Sequence, residues 1–268
     1  MTERSGPDLS LFEGTAWYYA RYRPAYPRWL FELIVERFGL DGSGRLLDLG
    51  CGTGEIAVPL SRHVEEVVAL DISAEMVEEA RAHAEREGVT NVRWLVLPAE
   101  ATGPEMGTFR LITAGSAFHW MDRAEVLRRG QALLAPGGGI ALAGFVGTTF
   151  WRSEVPWERA IVRVIQRWLG PERRAGQGTF PWDHRPHEEV LAASSFERVE
   201  IGERHVRHVW TIDTLAGYLY STSFSSPALL GDNKAALEAD LRETLRQLSP
   251  EGRFEQDLRL QYILAWKS

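Results

Sequence analysis

Three glycines at alternate positions, Gly50, Gly52 and Gly54, follow directly on the compact apolar run Arg45 to Leu49 in the segment L-L-D-L-G-C-G-T-G-E. Glycine lets a chain turn tightly and lets a ligand approach the backbone without meeting a Cβ. The dinucleotide-binding fingerprint is G-x-G-x-x-G, and its third glycine lets a helix pack closely while its N-terminus faces a pyrophosphate. Counted from Gly50, that glycine would fall at position 55, where the chain has Glu55. The spacing is G-x-G-x-G, and a carboxylate in the first helical turn repels pyrophosphate. A nicotinamide dinucleotide is therefore disfavoured. About one βα unit later the run Val67 to Leu70 ends at Asp71, where an acid can accept both hydroxyls of a ribose. The plainer alternatives are a merely structural strand-to-helix turn for the glycines, and for Asp71 an acid near Ser73 at a helix start.

The elements that must position these residues alternate. Strands are expected at 45–49, 66–70, 92–97, 109–114 and 139–146, with helices near 54–62, 74–87 and 122–135. Such alternation implies βα units and a mostly parallel sheet covered on both faces. Ser73 is placed to cap the helix carrying Met76, Val77, Ala80 and Ala84, and Asp122 with Glu125 makes an Asp-x-x-Glu capping pattern. Pro136-Gly137-Gly138 stops the helix that begins there. Upstream, Pro24 and Pro27 argue for an irregular arm over residues 1–27, and Trp29, Leu30, Leu33, Ile34 and Phe38 recur at helical spacing behind it. After residue 146 an aromatic-rich stretch, with Phe150, Trp151, Trp157, Trp168, Phe180 and Trp182, looks inserted. A strand near 198–211, helices near 213–222 and 233–248, and an alternating strand from Leu258 to Trp266 complete the chain. One domain over 1–268 is expected, with the arm as a lid and a helical cap at 147–190.

The segments D-L-G-C-G-T-G and A-L-D-I-S resemble motifs I and II of class I S-adenosylmethionine-dependent methyltransferases, and the resemblance runs over most of the chain. It implies an α/β, Rossmann-like fold with a seven-stranded sheet of order 3-2-1-4-5-7-6, its last hairpin reversed. It also implies S-adenosyl-L-methionine as cofactor, held on the loop from Asp48 to Gly54. By that likeness Gly50, Gly52 and Gly54 wrap the methionine portion, Asp71 takes the ribose, and Ile72 and Met76 pack on the adenine. The stretch Val96-Leu97-Pro98-Ala99-Glu100 resembles the family's G-D-A-E. Pro98 stands where Asp is common, so adenine contact falls to the backbone of Ala99 or Glu100 or to the Glu100 carboxylate. Arg110 replaces a frequent acid before the fourth strand.

Beyond the cofactor, Tyr19 to Pro27 and the segment Ala117-Phe118-His119-Trp120 resemble the branch of trans-aconitate methyltransferase-like small-molecule enzymes. Methyl transfer from a sulfonium is an in-line displacement, so alignment and exclusion of water matter most. A hydroxyl or ammonium nucleophile must also lose a proton, and His119 is the candidate base. The alternative for His119 is a structural imidazole bonded to its own loop. Ser116, at the carboxyl end of the fourth strand, is placed on the cofactor. Arg23 either pairs with the cofactor's carboxylate or faces solvent in the arm. Trp120 either walls the cofactor pocket or touches substrate. Tyr22, Trp151 and Trp157 are the remaining candidates for contact with the acceptor, against the alternative that Tyr18, Tyr22 and Tyr26 pack the arm and Trp157, Ile161, Ile165 and Trp168 dock the inserted helix.

Composition bounds the partners. The chain has 268 residues, 44% hydrophobic and 25% charged, with a formal net charge of -7, ordinary values for a globular protein. That charge opposes broad binding to nucleic acid. The single cysteine, Cys51, excludes a disulfide framework and a Cys-rich zinc site, and His184, His187, His205 and His208 lack a ligand set. With no signal-peptide or membrane-length apolar run, a cytoplasmic enzyme on a small-molecule methyl acceptor is expected, oxygen being favoured over nitrogen or carbon. The rivals are a protein or RNA methyltransferase and a non-catalytic adenosylmethionine-binding protein.

Overall fold

The computed structural model describes residues 9–146, 150–179 and 185–267; Phe180, Trp182 and His184 lie outside them. In chain order the helices and main strands are α1 (Ala16–Tyr22), α2 (Arg28–Phe38), β1 (Arg45–Leu49), α3 (Ala57–Leu60), β2 (Glu66–Asp71), α4 (Ala74–Arg86), β3 (Val92–Val96), β4 (Phe109–Gly115), α5 (Arg123–Leu133), β5 (Leu134–Val146), α6 (Pro156–Leu169), α7 (His187–Ala192), β6 (Arg198–Thr211), α8 (Ile212–Tyr220), α9 (Pro227–Leu230), α10 (Lys234–Leu248) and β7 (Arg253–Trp266). The seven strands form one sheet of order β3-β2-β1-β4-β5-β7-β6, the Rossmann-like order that the resemblance implies. β1 pairs in parallel with β2 and β4, β2 with β3, and β4 with β5. A separate two-stranded ladder joins Arg174–Ala175 to Gly178–Thr179.

The chain divides into two compact units. A sheet unit comprises Ala25–Gly144, Asp183–Glu203 and Gln261–Ser268, and a helical unit comprises Met1–Pro24, Phe145–Trp182 and Arg204–Leu260. The inner strands of the sheet unit read as near-continuous apolar runs because helices cover them on both faces. Leu46, Leu47, Val67, Leu111 and Ile112 are fully buried, and Val126, Leu127 and Leu133 of α5 pack with Leu47, Ile112 and Ile140 in one core. The helical unit has its own core, in which Ile161, Val164 and Ile165 of α6 meet Leu215 and Leu219 of α8 and Leu237, Leu241 and Leu245 of α10.

Several local expectations need correction. The arm is not irregular throughout: α1 forms over Ala16–Tyr22, because Pro24 and Pro27 lie beyond its last residue and end it rather than prevent it. The helix expected over 54–62 is only α3, followed by a 3-10 turn at Ser61–His63. Residues 52–56 are spent on turns, since Gly54 is left-handed at φ +90° and cannot sit in a right-handed helix. The helix α5 stops at Leu133, ahead of Pro136, and the chain is already extended as β5 from Leu134. The cap at Asp122 forms, with its carboxylate accepting the Glu125 N–H at 3.2 Å. Glu125 does not return the bond. It pairs with Arg128 and Arg129, and the Asp122 N–H donates to Glu100 Oε1 at 2.7 Å instead. Arg110 likewise finds a local use: it donates to Asp41 Oδ1 at 2.6 Å and to the Gly39 carbonyl, fixing the turn that leads into β1. Among the described residues no helix is long and apolar enough to cross a membrane.

Gly139 in β5 shows how tightly this sheet closes. A Cβ there would collide with the Ala265 carbonyl oxygen and lie 2.6 Å from Phe38 Cε1. Overpacking against backbone has no cheap relaxation, so Gly139→Ala should cost about 2–3 kcal/mol. A urea melt with an unchanged midpoint would contradict this account of the β5 environment.

Candidate functional site

At the carboxyl ends of β1 and β2 the chain makes the loop that the glycine spacing announces. Gly50, Gly52 and Gly54 all have positive φ, at +62°, +54° and +90°, a region that side chains with a Cβ rarely enter. A Cβ at Gly50 would also lie 2.6 Å from Ala117 Cβ and 3.0 Å from Met121 Cε. The glycine thus allows the Ala117–Met121 loop to close against the strand end. The Cys51 N–H donates to Leu70 O at 2.9 Å, and His83 Nδ1 lies 3.0 Å from Thr53 O, which ties the loop to β2 and α4.

Asp71 holds the two sides of this junction together. Its Oδ2 accepts the Gly52 N–H at 3.0 Å and its Oδ1 accepts the Ser73 N–H at 2.9 Å. Ser73 in turn caps α4, its hydroxyl accepting the Met76 N–H at 3.3 Å. Asp48, one strand turn below, is 1% exposed. The Thr113 hydroxyl donates to its Oδ1 at 2.6 Å, and its Oδ2 is buried with no hydrogen-bond partner. The Thr53 hydroxyl donates to Glu55.

Burial raises the pKa of all three carboxyl groups. Asp48 is pushed up to about 7, chiefly by loss of solvent and further by the charges of Glu55 and Asp71. Glu55 and Asp71 also rise, again mainly through burial. Cys51 lies in the same neighbourhood, and burial holds its thiol well above its ordinary value, so it is not an activated nucleophile. A glycine loop ringed by three acids in low dielectric favours a ligand carrying positive charge and disfavours a pyrophosphate.

The rest of the sheet unit's candidates stand around this loop. Ile72 is half-buried, while Met76 and Ala99 are buried. Glu100 follows Ala99 in a short 3-10 turn, and its Oε1 is the acceptor for Asp122 described above. At the end of β4, Ser116 has φ +52°, the one non-glycine with positive φ among the described residues. Such a conformation persists only where surroundings enforce it. Its N–H donates to Ala143 O at 2.8 Å, and its Oγ lies 3.0 Å from Tyr26 Oη. His119 and Trp120 sit on the next 3-10 turn, with ring centroids 4.7 Å apart. His187 stacks beside His119 at 6.4 Å and meets Phe118 edge-on at 5.1 Å, and its Nδ1 lies 3.2 Å from Arg123 Nη1. The sequence offered His187 only as a histidine without a metal-ligand set around it. Its place beside His119 depends on a contact across some 70 residues that no local spacing encodes.

The remaining candidates belong to the helical unit. Arg23 Nη2 donates to Ser221 O at 2.8 Å, with its Cζ 4.7 Å from the Tyr19 ring centroid and 5.1 Å from that of Tyr218. Tyr22 stacks on Tyr18 and presses against Gly217, where any Cβ would strike its ring. Trp157 is in the apolar core, edge-on to Phe150 and tilted against Phe254. Trp151 is half-buried and edge-on to Phe224, its indole Nε1 buried with no hydrogen-bond partner.

Residues 46–138 match the family model described as a methyltransferase domain. An uncharacterized methyltransferase-like protein of Schizosaccharomyces pombe is 26% identical over 165 residues, 60% of this chain and 60% of its own length. The ubiquinone biosynthesis O-methyltransferase of Acinetobacter baylyi is 30% identical over 142 residues, 50% of this chain and 59% of its own. The chain thus spans about three-fifths of the length of the curated relatives it matches. Among solved structures the YcgJ protein of Bacillus subtilis superposes with a TM-score of 0.54 at 20% identity, covering 88% of this chain and 97% of that one. The fold is that of the class I methyltransferases. Residues 46–138, which contain the glycine loop and Asp71, are thus similar to a methyltransferase domain in sequence, and the chain is similar to such proteins in fold.

The raised carboxyls make a pH prediction with a defined sign. Asp48 in the folded chain keeps its proton up to about pH 7, whereas in the unfolded chain it loses it near 3.8. Between those values the folded state binds the extra proton, so stability falls as pH rises, by up to about 1.4 kcal/mol per unit for one group. Asp48→Asn keeps an acceptor for Thr113 and should flatten the slope between pH 5 and 7.5 in chemical denaturation. An identical slope in both proteins would refute the assignment.

Proposed function

We propose that the chain is an S-adenosyl-L-methionine-dependent methyltransferase acting on a small-molecule acceptor, at oxygen in preference to nitrogen or carbon. The observation that carries this is the acid-ringed glycine loop. Asp48, Glu55 and Asp71 suit a ligand with a sulfonium and an ammonium group, and they oppose a dinucleotide. The methyltransferase-domain match over 46–138 supports the donor, and likeness to an O-methyltransferase supports oxygen.

When bound, the donor supplies an electrophilic methyl group whose transfer is an in-line displacement. Gly50, Gly52 and Gly54 present backbone to its methionine portion. The Asp71 carboxylate has about four acceptor sites, and the loop amides leave capacity for a ribose diol. Ile72 and Met76 offer apolar surface to the adenine. Since Glu100 Oε1 is taken by the Asp122 N–H, the adenine edge falls to the backbone at Ala99 and Glu100. Ser116 presents its backbone at the strand end, where Tyr26 buttresses its hydroxyl. His119 accepts the acceptor's proton on a ring nitrogen as the new bond to carbon forms, with Trp120 excluding water. Trp157 and Tyr22 shape the helical unit by packing.

Two substitutions separate binding from chemistry. Asp71→Ala removes charge-assisted bonds to the ribose and should weaken S-adenosylhomocysteine binding by about tenfold to a hundredfold in calorimetry; unchanged affinity would reject the ribose assignment. His119→Ala should lower turnover by about a hundredfold or more while leaving cofactor affinity near that of the parent. Turnover that survives intact would remove His119 from the proton transfer.

A further inference from the structure

The glycine loop has little conformational preference of its own. Three of the five residues from Gly50 to Gly54 are glycines, which reach both hands of the backbone map at similar cost, so its shape must be imposed from outside. The turn within it is closed by the Gly54 N–H donating to Cys51 O at 2.9 Å, with Gly52 and Thr53 as its central residues. Each of Cys51, Gly52 and Thr53 is then held by one group from beyond the loop. The Cys51 N–H donates to Leu70 O, the Gly52 N–H donates to Asp71 Oδ2, and the Thr53 carbonyl lies 3.0 Å from His83 Nδ1. A carbonyl only accepts, so Nδ1 of His83 carries the proton and donates.

His83 stands where α4 has no general need of a polar ring. Met76, Val77, Ala80 and Ala84 form the buried stripe of this helix, and His83 falls on the same stripe by its spacing. Part of its presence has a structural explanation. It lies in the last turn of α4, where a basic side chain suits the negative end of the helix dipole. That accounts neither for the aim of Nδ1 nor for the neighbour it meets. A Cβ on Gly54 would lie 3.5 Å from His83 Nδ1 and 3.3 Å from Trp94 Cη2, so the ring is seated against the loop beside a buried indole. Thr53 is also held through its side chain, whose hydroxyl donates to Glu55. Burial pushes the Glu55 carboxyl up, and the charge of the nearby His83 draws it back down, so ring and acid act on the loop together.

We infer that His83 is a positioning residue of the donor loop: by holding the Thr53 carbonyl it sets the Cys51–Gly54 turn in its binding conformation, and so raises affinity for the methyl donor through Thr53 rather than by contact. A loop ordered before its ligand arrives avoids the entropy cost of ordering on binding, so the contribution shows in donor affinity. The inference rests on the function proposed above only for the identity of the donor.

The test is calorimetric titration of the full chain with S-adenosylhomocysteine, with thermal melts alongside, for the parent and for His83→Asn, His83→Gln and His83→Phe. The amide nitrogen of asparagine stands close to where Nδ1 does, that of glutamine stands nearer to Nε2, and phenylalanine keeps the ring without a donor. Affinity should fall about three- to tenfold in His83→Phe and His83→Gln, and His83→Asn should hold it within about twofold of the parent. A role in packing alone orders the variants otherwise, because His83→Phe keeps the bulk against Gly54 and Trp94 and would then match the parent. Equal affinity in all four proteins, or tighter binding by His83→Phe than by His83→Asn, overturns the inference. Imidazole nitrogen NMR shifts of the parent at mildly alkaline pH give a second readout that needs no variant to fold. The neutral ring should carry its proton on Nδ1, and a proton on Nε2 alone overturns the clamp. A parent that binds no S-adenosylhomocysteine sinks the function proposed above together with this inference, whereas tight binding by the parent that His83→Phe shares sinks this inference alone.

Discussion

A carboxylate is costly to bury, and the end of the sheet that carries the glycine loop buries three. Asp71 meets this cost with hydrogen bonds, taking N–H groups from Gly52 on one side and Ser73 on the other. It thereby fixes the distance between the end of β1 and the start of α4. Asp48 meets it only in part, with one oxygen bonded to Thr113 and the other unpartnered, and so holds its proton up to about pH 7. The positive φ of Gly52 belongs to the turn that brings its N–H to Asp71, and at Gly50 a Cβ would keep Ala117 and Met121 away.

This end of the fold was legible because its signals are local. The period of apolar residues located β1, β2, α4 and β4 to within a residue or two, and the G-x-G-x-G spacing with Asp71 one unit later defined the loop. Reading failed where backbone demands outran propensity. The helix expected near 54–62 starts late, because the loop consumes residues 52–56 in turns. Pro24 and Pro27 suggested an irregular arm, although a proline forbids only the helix that would run through it, and α1 ends before both. The Asp122–Glu125 pattern promised a reciprocal cap, but the returning acid is Glu100, 22 residues away. Contacts of that range leave no mark on spacing.

The same limit explains what was missed at the site. Tyr26 was visible only as one tyrosine among several, and its role as a buttress of Ser116 depends on the strained φ of that serine, which no residue type announces. His187 reaches His119 through the start of α7, and Arg123 reaches both the Arg185 carbonyl and His187. Such side-chain clusters form where tertiary packing brings distant segments together, so they appear only once the fold is in hand.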